Sequence, residues 1–281
     1  MKRLLLILVM AFSAWAQSWA QTQAAPPTSG TEKSPAAVAI PLDQENARKA
    51  KSLLDQAIEA LGGPAYLNIR DREQQGRGYS FHHGRPTSNG VLFWSFSQFP
   101  DKERVEITKE RDIAQLYTGN KGYEITFKGA HPMEEKDLTD YLRRRRFSLE
   151  TILRTWVNDP TVALLFEGNA IAAQHPALQV TLINAQNESV TLYLDSDTHL
   201  PIKKSFQWRD PVDRQKNLEE EIYENYRLDQ GVTNPHNVSR YFNGDMAGQR
   251  FLNTVTFNQG LDQAMFDPNS GYKPNKQDGK R

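Results

Sequence analysis

Two hydrophobic periods follow one another along this chain. Between Asp43 and Gly63 apolar residues recur at helical spacing. Ala47, Ala50, Leu54, Ala57, Ile58 and Leu61 form one stripe, with Arg48, Lys49, Asp55 and Glu59 opposite. Asp43 is placed to N-cap this helix and Gly62-Gly63 to end it, and the alanines allow close packing on a sheet. From Arg72 the period becomes two, broken by turn residues. Strands are expected at 72–81, 91–98, 103–108, 112–117 and 123–127. A second series follows at 162–172, 177–183, 189–195, 200–208, 218–228, 237–242 and 249–258. Short connectors make successive strands antiparallel neighbours. Leu178, Val180 and Leu182 share one face, as do Val190, Leu192 and Leu194 across the next turn, and Asn243-Gly244 suits a hairpin.

The helical period returns once, at 132–157, between the two series. Leu138, Tyr141, Leu142, Leu149, Ile152, Leu153 and Trp156 lie on one stripe, and Arg143 to Arg146 fall in its middle. A helix set into a β-rich chain must bury its stripe against the sheet or close over what the sheet encloses. Two readings of the arginines stay open. In one, Phe147-Ser148 is a break, Ser148 caps a second helix, and the arginines end the first, where cations favour the helix dipole and snorkel into water. In the other, Arg145, in line with the apolar stripe, faces a cavity and meets an anionic headgroup or a sheet carbonyl. About twelve antiparallel strands in one run curl into a barrel, a part-barrel or a sandwich.

Composition then narrows the setting. The chain has 34 basic and 34 acidic residues, so no overall field argues for nucleic acid. Lys2 and Arg3, the apolar run 4–12, and the small-x-small sites ending at Ala16 and Ala20 read as a signal peptide over 1–20, with retention as an anchor the alternative. Residues 21–41, rich in Ala, Pro, Thr and Ser, read as a disordered linker, and 269–281 as a disordered tail, leaving one domain over 42–268. With no cysteine, disulfides and thiol chemistry are excluded, and an exported protein of this kind is expected in the periplasm.

Chemistry-bearing motifs are sparse. There is no Gly-x-Ser-x-Gly elbow or Gly-rich phosphate loop, and the six histidines form no compact ligand motif. His82 and His83 are adjacent, so a regular strand would point them to opposite faces. Asp195 to His199 starts like a calcium loop but lacks its later ligands, and a polar hairpin loop explains it better. No metal and no cofactor are expected.

The second half carries an arrangement found elsewhere. Leu192-Tyr193-Leu194-Asp195, then Asp197-Thr198 and Leu200-Pro201-Ile202-Lys203, precede Tyr223, Tyr226, Gly231 and Pro235, with Asn258, Leu261 and Phe266-Asp267-Pro268 later. With Leu61-Gly62-Gly63 ending the first helix, this resembles the bacterial outer-membrane lipoprotein-sorting-like (LolA/LolB-type) proteins. The resemblance implies an α+β, mainly β fold: a curved, unclosed antiparallel barrel of about 11–12 strands around an N-terminal helix and the helical lid. It also implies binding of lipid acyl chains or lipoproteins in the periplasm without a cofactor, which with the missing catalytic motifs favours a carrier or chaperone over an enzyme; a monomer is expected. The expected cavity lining is Phe93, Trp94 and Phe96 on early strands, with Leu142, Arg145, Leu149, Ile152 and Trp156 on the lid. The rival readings are an envelope sensor or scaffold that binds another protein through the same sheet, and, with less support, an envelope hydrolase using Glu220, Glu224 or a histidine as base.

Overall fold

The first helix ends as its glycines require. In a computed structural model, which describes residues 42–87 and 89–273, α1 spans Leu42–Ala60. Gly63 N–H donates to Ile58 O and Gly62 N–H to Glu59 O, each at 2.9 Å, the paired bonds of a Schellman motif. Gly62 has φ +122°, and a Cβ there would lie 2.4 Å from Gly231 O, so glycine is needed for both the turn and the close approach. Asp43 lies within the first turn of α1 rather than ahead of it, since the helix already includes Leu42. The expected signal peptide and linker, and residues 274–281 of the expected tail, lie outside the described residues.

After a short helix α2 (Pro64–Leu67) the first meander begins. It comprises β1 (Asp71–His82), β2 (Arg85–Pro86), β3 (Val91–Gln98), β4 (Lys102–Ile107), β5 (Ile113–Thr118), β6 (Lys121–Thr126) and β7 (Gly129–Pro132). The helical insert follows as α3 (Glu135–Arg146), α4 (Leu149–Arg154) and a 3-10 turn at Trp156–Asn158. The second meander runs through β8 (Ala163–Ala172), β9 (His175–Ile183), β10 (Ser189–Asp195), β11 (Pro201–Arg209), β12 (Lys216–Asp229), β13 (Val232–Phe242) and β14 (Asp245–Phe257). A 3-10 turn, Gln263–Phe266, lies near the end.

One antiparallel sheet of 14 strands results, because β14 returns to pair with β1 and joins the two meanders. The order is β7-β6-β5-β4-β3-β1-β14-β13-β12-β11-β10-β9-β8, with β2 paired to β1 outside this path. It is thus the curved, open α+β architecture expected. The two strands beyond expectation, β2 and β7, are too short to alternate visibly. Pro132 closes β7, so the insert begins at Glu135.

The free edges are β7 and β8, and the insert is the connection between them. Edge β8 is blunted by α1: Asn46 Nδ2 donates to Phe166 O at 2.9 Å, and Phe166 N–H donates back to Asn46 Oδ1 at 2.8 Å. The inner face packs Val180, Leu182, Val190, Leu192 and Leu194 against the α1 stripe and against Phe147, Ile152, Leu153 and Trp156 of the insert. Within this core Val190 pairs with Leu182, Leu192 with Val180, and Leu194 with Leu178, matching the alternation of the sequence. Asn243 and Gly244 both take positive φ, as a type I′ turn demands. A second, smaller core covers the outer face, where Trp94, Phe96 and Leu116 meet Met265 and Phe266.

Candidate functional site

The insert is held in two different ways. At its break, Ser148 Oγ accepts from Thr151 N–H at 3.2 Å and caps α4. Phe147, just before it, is buried and stacks on Phe206 with ring centroids 4.3 Å apart, while Trp156 tilts against it at 5.6 Å. Helix α4 then buries Ile152 and Leu153 completely. Glu150 in its first turn pairs with Arg72 of β1, and Arg154 donates to Ile69 O at 2.6 Å. Although burial works against its charged form, Arg72 holds the Glu150 carboxyl below its ordinary range.

Helix α3, by contrast, buries no side chain completely. Its attachments, on its inward side, are a ring stack and polar contacts rather than fully buried aliphatic side chains. Tyr141 stacks flat on Tyr117, 3.4 Å between centroids, and donates to Glu103 at 2.9 Å. Burial, and then the Glu103 carboxylate, push the hydroxyls of both tyrosines upward in pKa. Arg143 lies 3.5 Å from the centre of the Trp208 ring and bonds Asp140 at 2.7 Å and Glu219 at 3.1 Å. Arg145 donates to Asp101 O at 3.1 Å and Gly119 O at 2.7 Å, clamping the end of α3 to two turns of the first meander. Each open reading therefore described part of the arrangement. The helix breaks at Phe147-Ser148 with its arginines at the C-terminal end, and Arg145 reaches main-chain carbonyls.

Beside this clamp opens a cleft of about 1130 Å³. Leu142, Arg143, Arg145, Phe147 and Trp208 line it, together with Asn187 and Ser189. Of the expected cavity residues, Leu142 and Arg145 face this cleft. Phe93, Ile152 and Trp156 are in the packed inner core, with Leu149 partly buried against it. Trp94 and Phe96 are not brought to either place. Neighbours on a strand point to opposite faces, so Phe93 inside puts Trp94 and Phe96 outside, beneath Met265 and Phe266. His82 ends β1 and His83 sits in the turn after it, 3.6 Å from Asp245.

Sequence reasoning missed the charges facing inward from the second meander. Lys204, Glu219, Glu221 and Arg240 take inward positions on β11, β12 and β13, next to α3. Lys204 is almost fully buried and pairs with Glu221 at 2.9 Å, while Tyr223 donates to the same carboxylate at 2.6 Å. Burial alone would raise the Glu221 carboxyl; Lys204 and the tyrosine outweigh it and hold it down to about 2. The signal that could have found them is charge at the inward phase of alternating strands.

No protein-family model matches the sequence, and no curated protein matches it. Solved structures do. A DUF1329 family protein from Desulfovibrio piger superposes with a TM-score of 0.56 at 10% identity, over 79% of this chain and 97% of that one. A putative outer-membrane lipoprotein-sorting protein domain from Vibrio parahaemolyticus superposes at 0.52 and 13% identity, over 84% of this chain and 100% of that one. The chain has the lipoprotein-sorting-like, LolA-type fold. At these identities the likeness is one of fold. Of the two helices that connect the edge strands, α3 has no fully buried side chain and α4 is rooted in the core.

Proposed function

We propose that this protein is an exported, non-catalytic carrier of the cell envelope that takes up the acyl chain of a lipid or lipoprotein between the inner face of the sheet and α3. The observation that carries the reading is the unequal anchoring of the insert. Helix α4 is fixed by Ile152 and Leu153, with Phe147 buried at the junction that ends α3, whereas α3 borders a cleft of about 1130 Å³ and buries no residue completely. A lid must leave without unfolding the core, and a helix held by ring stacking and polar contacts rather than by fully buried side chains can do so. Charged groups of β11, β12 and β13 lie beneath α3 itself, and the apolar core that an acyl chain requires adjoins them under α4. Export is supported by the N-terminal sequence.

Because the inner core is packed, uptake in this reading requires α3 to move outward on Phe147-Ser148. The same packed core favours a second reading, a scaffold that binds an envelope protein on the sheet without admitting any chain. Titration of the mature protein with a fluorescent fatty acid separates them. The carrier reading expects saturable, stoichiometric binding that competing phospholipid displaces. Absence of binding, together with stoichiometric capture of one envelope protein by the tagged domain, supports the scaffold and defeats the carrier.

A further inference from the structure

We propose that Arg240 of β13 and Arg250 of β14, together with Arg144 of α3, form a binding site for a phosphate group on the inner face of the sheet. The register builds the site. Ser80 of β1 pairs with Gly248 of β14, Gly248 with Arg240, Arg240 with Glu221, and Glu221 with Lys204. In the adjoining row Gly78 pairs with Arg250, and Arg250 with Val238. Arg240 and Arg250 are therefore diagonal neighbours on one face, about 7–8 Å apart at the backbone and within reach of a common ligand.

Their carboxylate neighbours are already committed. Glu221, opposite Arg240, is taken by Lys204 and Tyr223, and Glu219 is taken by Arg143. Arg240 turns the other way: its Nη2 would lie 3.8 Å from a Cβ built on Gly248, so the guanidinium lies beside that glycine. Gly78 and Gly248 have ordinary strand backbone, so conformation does not demand glycine at either place. Glycine inside a strand weakens it and often marks a close approach by a ligand. Here Gly248 leaves the floor beside Arg240 bare, and Gly78 carries no side chain on the far side of Arg250.

Among the described residues, Arg144, Arg240 and Arg250 make no side-chain hydrogen bond or ion pair with the protein. Burial and then the nearby Arg144 charge disfavour the protonated form of Arg240; Arg250 adds to this, and Glu219 and Glu221 offset it only in part. Arg240 and Arg250 on one face, with the Arg144 charge near enough to act on Arg240 and no direct ion pair to any of the three, suit the several oxygens of a phosphate. The group can come from a phospholipid headgroup or from a soluble phosphate ester. In the first case the site deepens the carrier reading, and it does not depend on that reading in the second.

The test uses the mature protein, wild type and the double variant Arg240→Gln/Arg250→Gln, titrated with lysophosphatidylglycerol below its micelle threshold, with uncharged monoacylglycerol and with inorganic phosphate. The expected result is that lysophosphatidylglycerol binds at least about tenfold more tightly than monoacylglycerol, the factor of one charge-assisted hydrogen bond. The double variant abolishes that preference and leaves monoacylglycerol unchanged. Phosphate alone should raise the melting temperature of wild type but not of the variant. Arg240→Gln without ligand should melt no lower than wild type, because it removes a charge that the fold disfavours. Equal binding of both acyl probes, or a preference that survives the double substitution, overturns the phosphate site while leaving the carrier intact. Arginine-dependent phosphate binding with no acyl binding supports the site and defeats the carrier, and failure of every probe overturns both.

Discussion

Phe147→Ala tests the division of the insert into anchor and lid. The ring is 2% exposed, stacked on Phe206 and packed against Trp156, so truncation opens a cavity in the inner core. Removing a buried phenylalanine costs about 3–5 kcal/mol, of which each aromatic pair supplies about 0.5–1.5. Against a domain stability of about 5–15 kcal/mol the variant should still fold. The loss should not fall evenly. Helix α4 keeps Ile152 and Leu153 in the core, while α3, which has no buried side chain, loses the residue that ends it against the sheet. Hydrogen exchange followed by mass spectrometry resolves this. Peptides from 135–146 should lose most protection, peptides from β9 and β10 should lose little, and uptake of a fluorescent fatty acid should quicken. If β9 and β10 lose protection while α3 keeps it, Phe147 is ordinary core and the lid argument fails.

Arg145→Leu removes the donors that clamp α3 to Asp101 O and Gly119 O, a local loss of about 1–3 kcal/mol. It should speed acyl-probe uptake with little change in melting temperature, and unchanged kinetics would mean that the clamp does not gate entry. On the outer face, Glu106 is fully buried and bonds Arg104 and Arg111, each at 2.6 Å. Glu106→Gln removes the charge they share and should cost about 3–5 kcal/mol in calorimetry, and a loss below about 1 contradicts the account. The Glu221 carboxyl is held at about 2, below its ordinary 4.5, so its contribution is present above pH 4.5 and fades as the pH falls towards 2. That contribution is at most roughly 3 kcal/mol. Glu221→Gln should flatten the fall in melting temperature across this window, and a superimposable pH profile refutes it.

What the sequence disclosed follows local physics. The α1 stripe and its glycine end, the paired faces of β9 and β10, the Asn243-Gly244 turn and the break at Ser148 all depend on neighbours within a few residues. What it concealed depends on contacts between distant segments. Alternation separates Phe93 from Trp94 and Phe96, but that the outer face is also covered depends on the distant segment around Met265 and Phe266. The partners of Arg145 are main-chain carbonyls in turns, which carry no residue signature. The phosphate site proposed above draws its arginines from β13, β14 and α3, and Arg144 was visible only as one of a run. Edge strand β7 was hidden because it spans only Gly129–Pro132, too short to betray a strand.

The central claim is that an acyl chain enters beneath α3. Native mass spectrometry of the mature protein, purified without detergent, tests it most directly. The account predicts a bound species with the mass of a phospholipid or fatty acid, lost on organic extraction and depleted in Phe147→Ala, whose loosened lid releases it. Bare protein in every preparation, with no adduct after incubation with phospholipid vesicles, would contradict it.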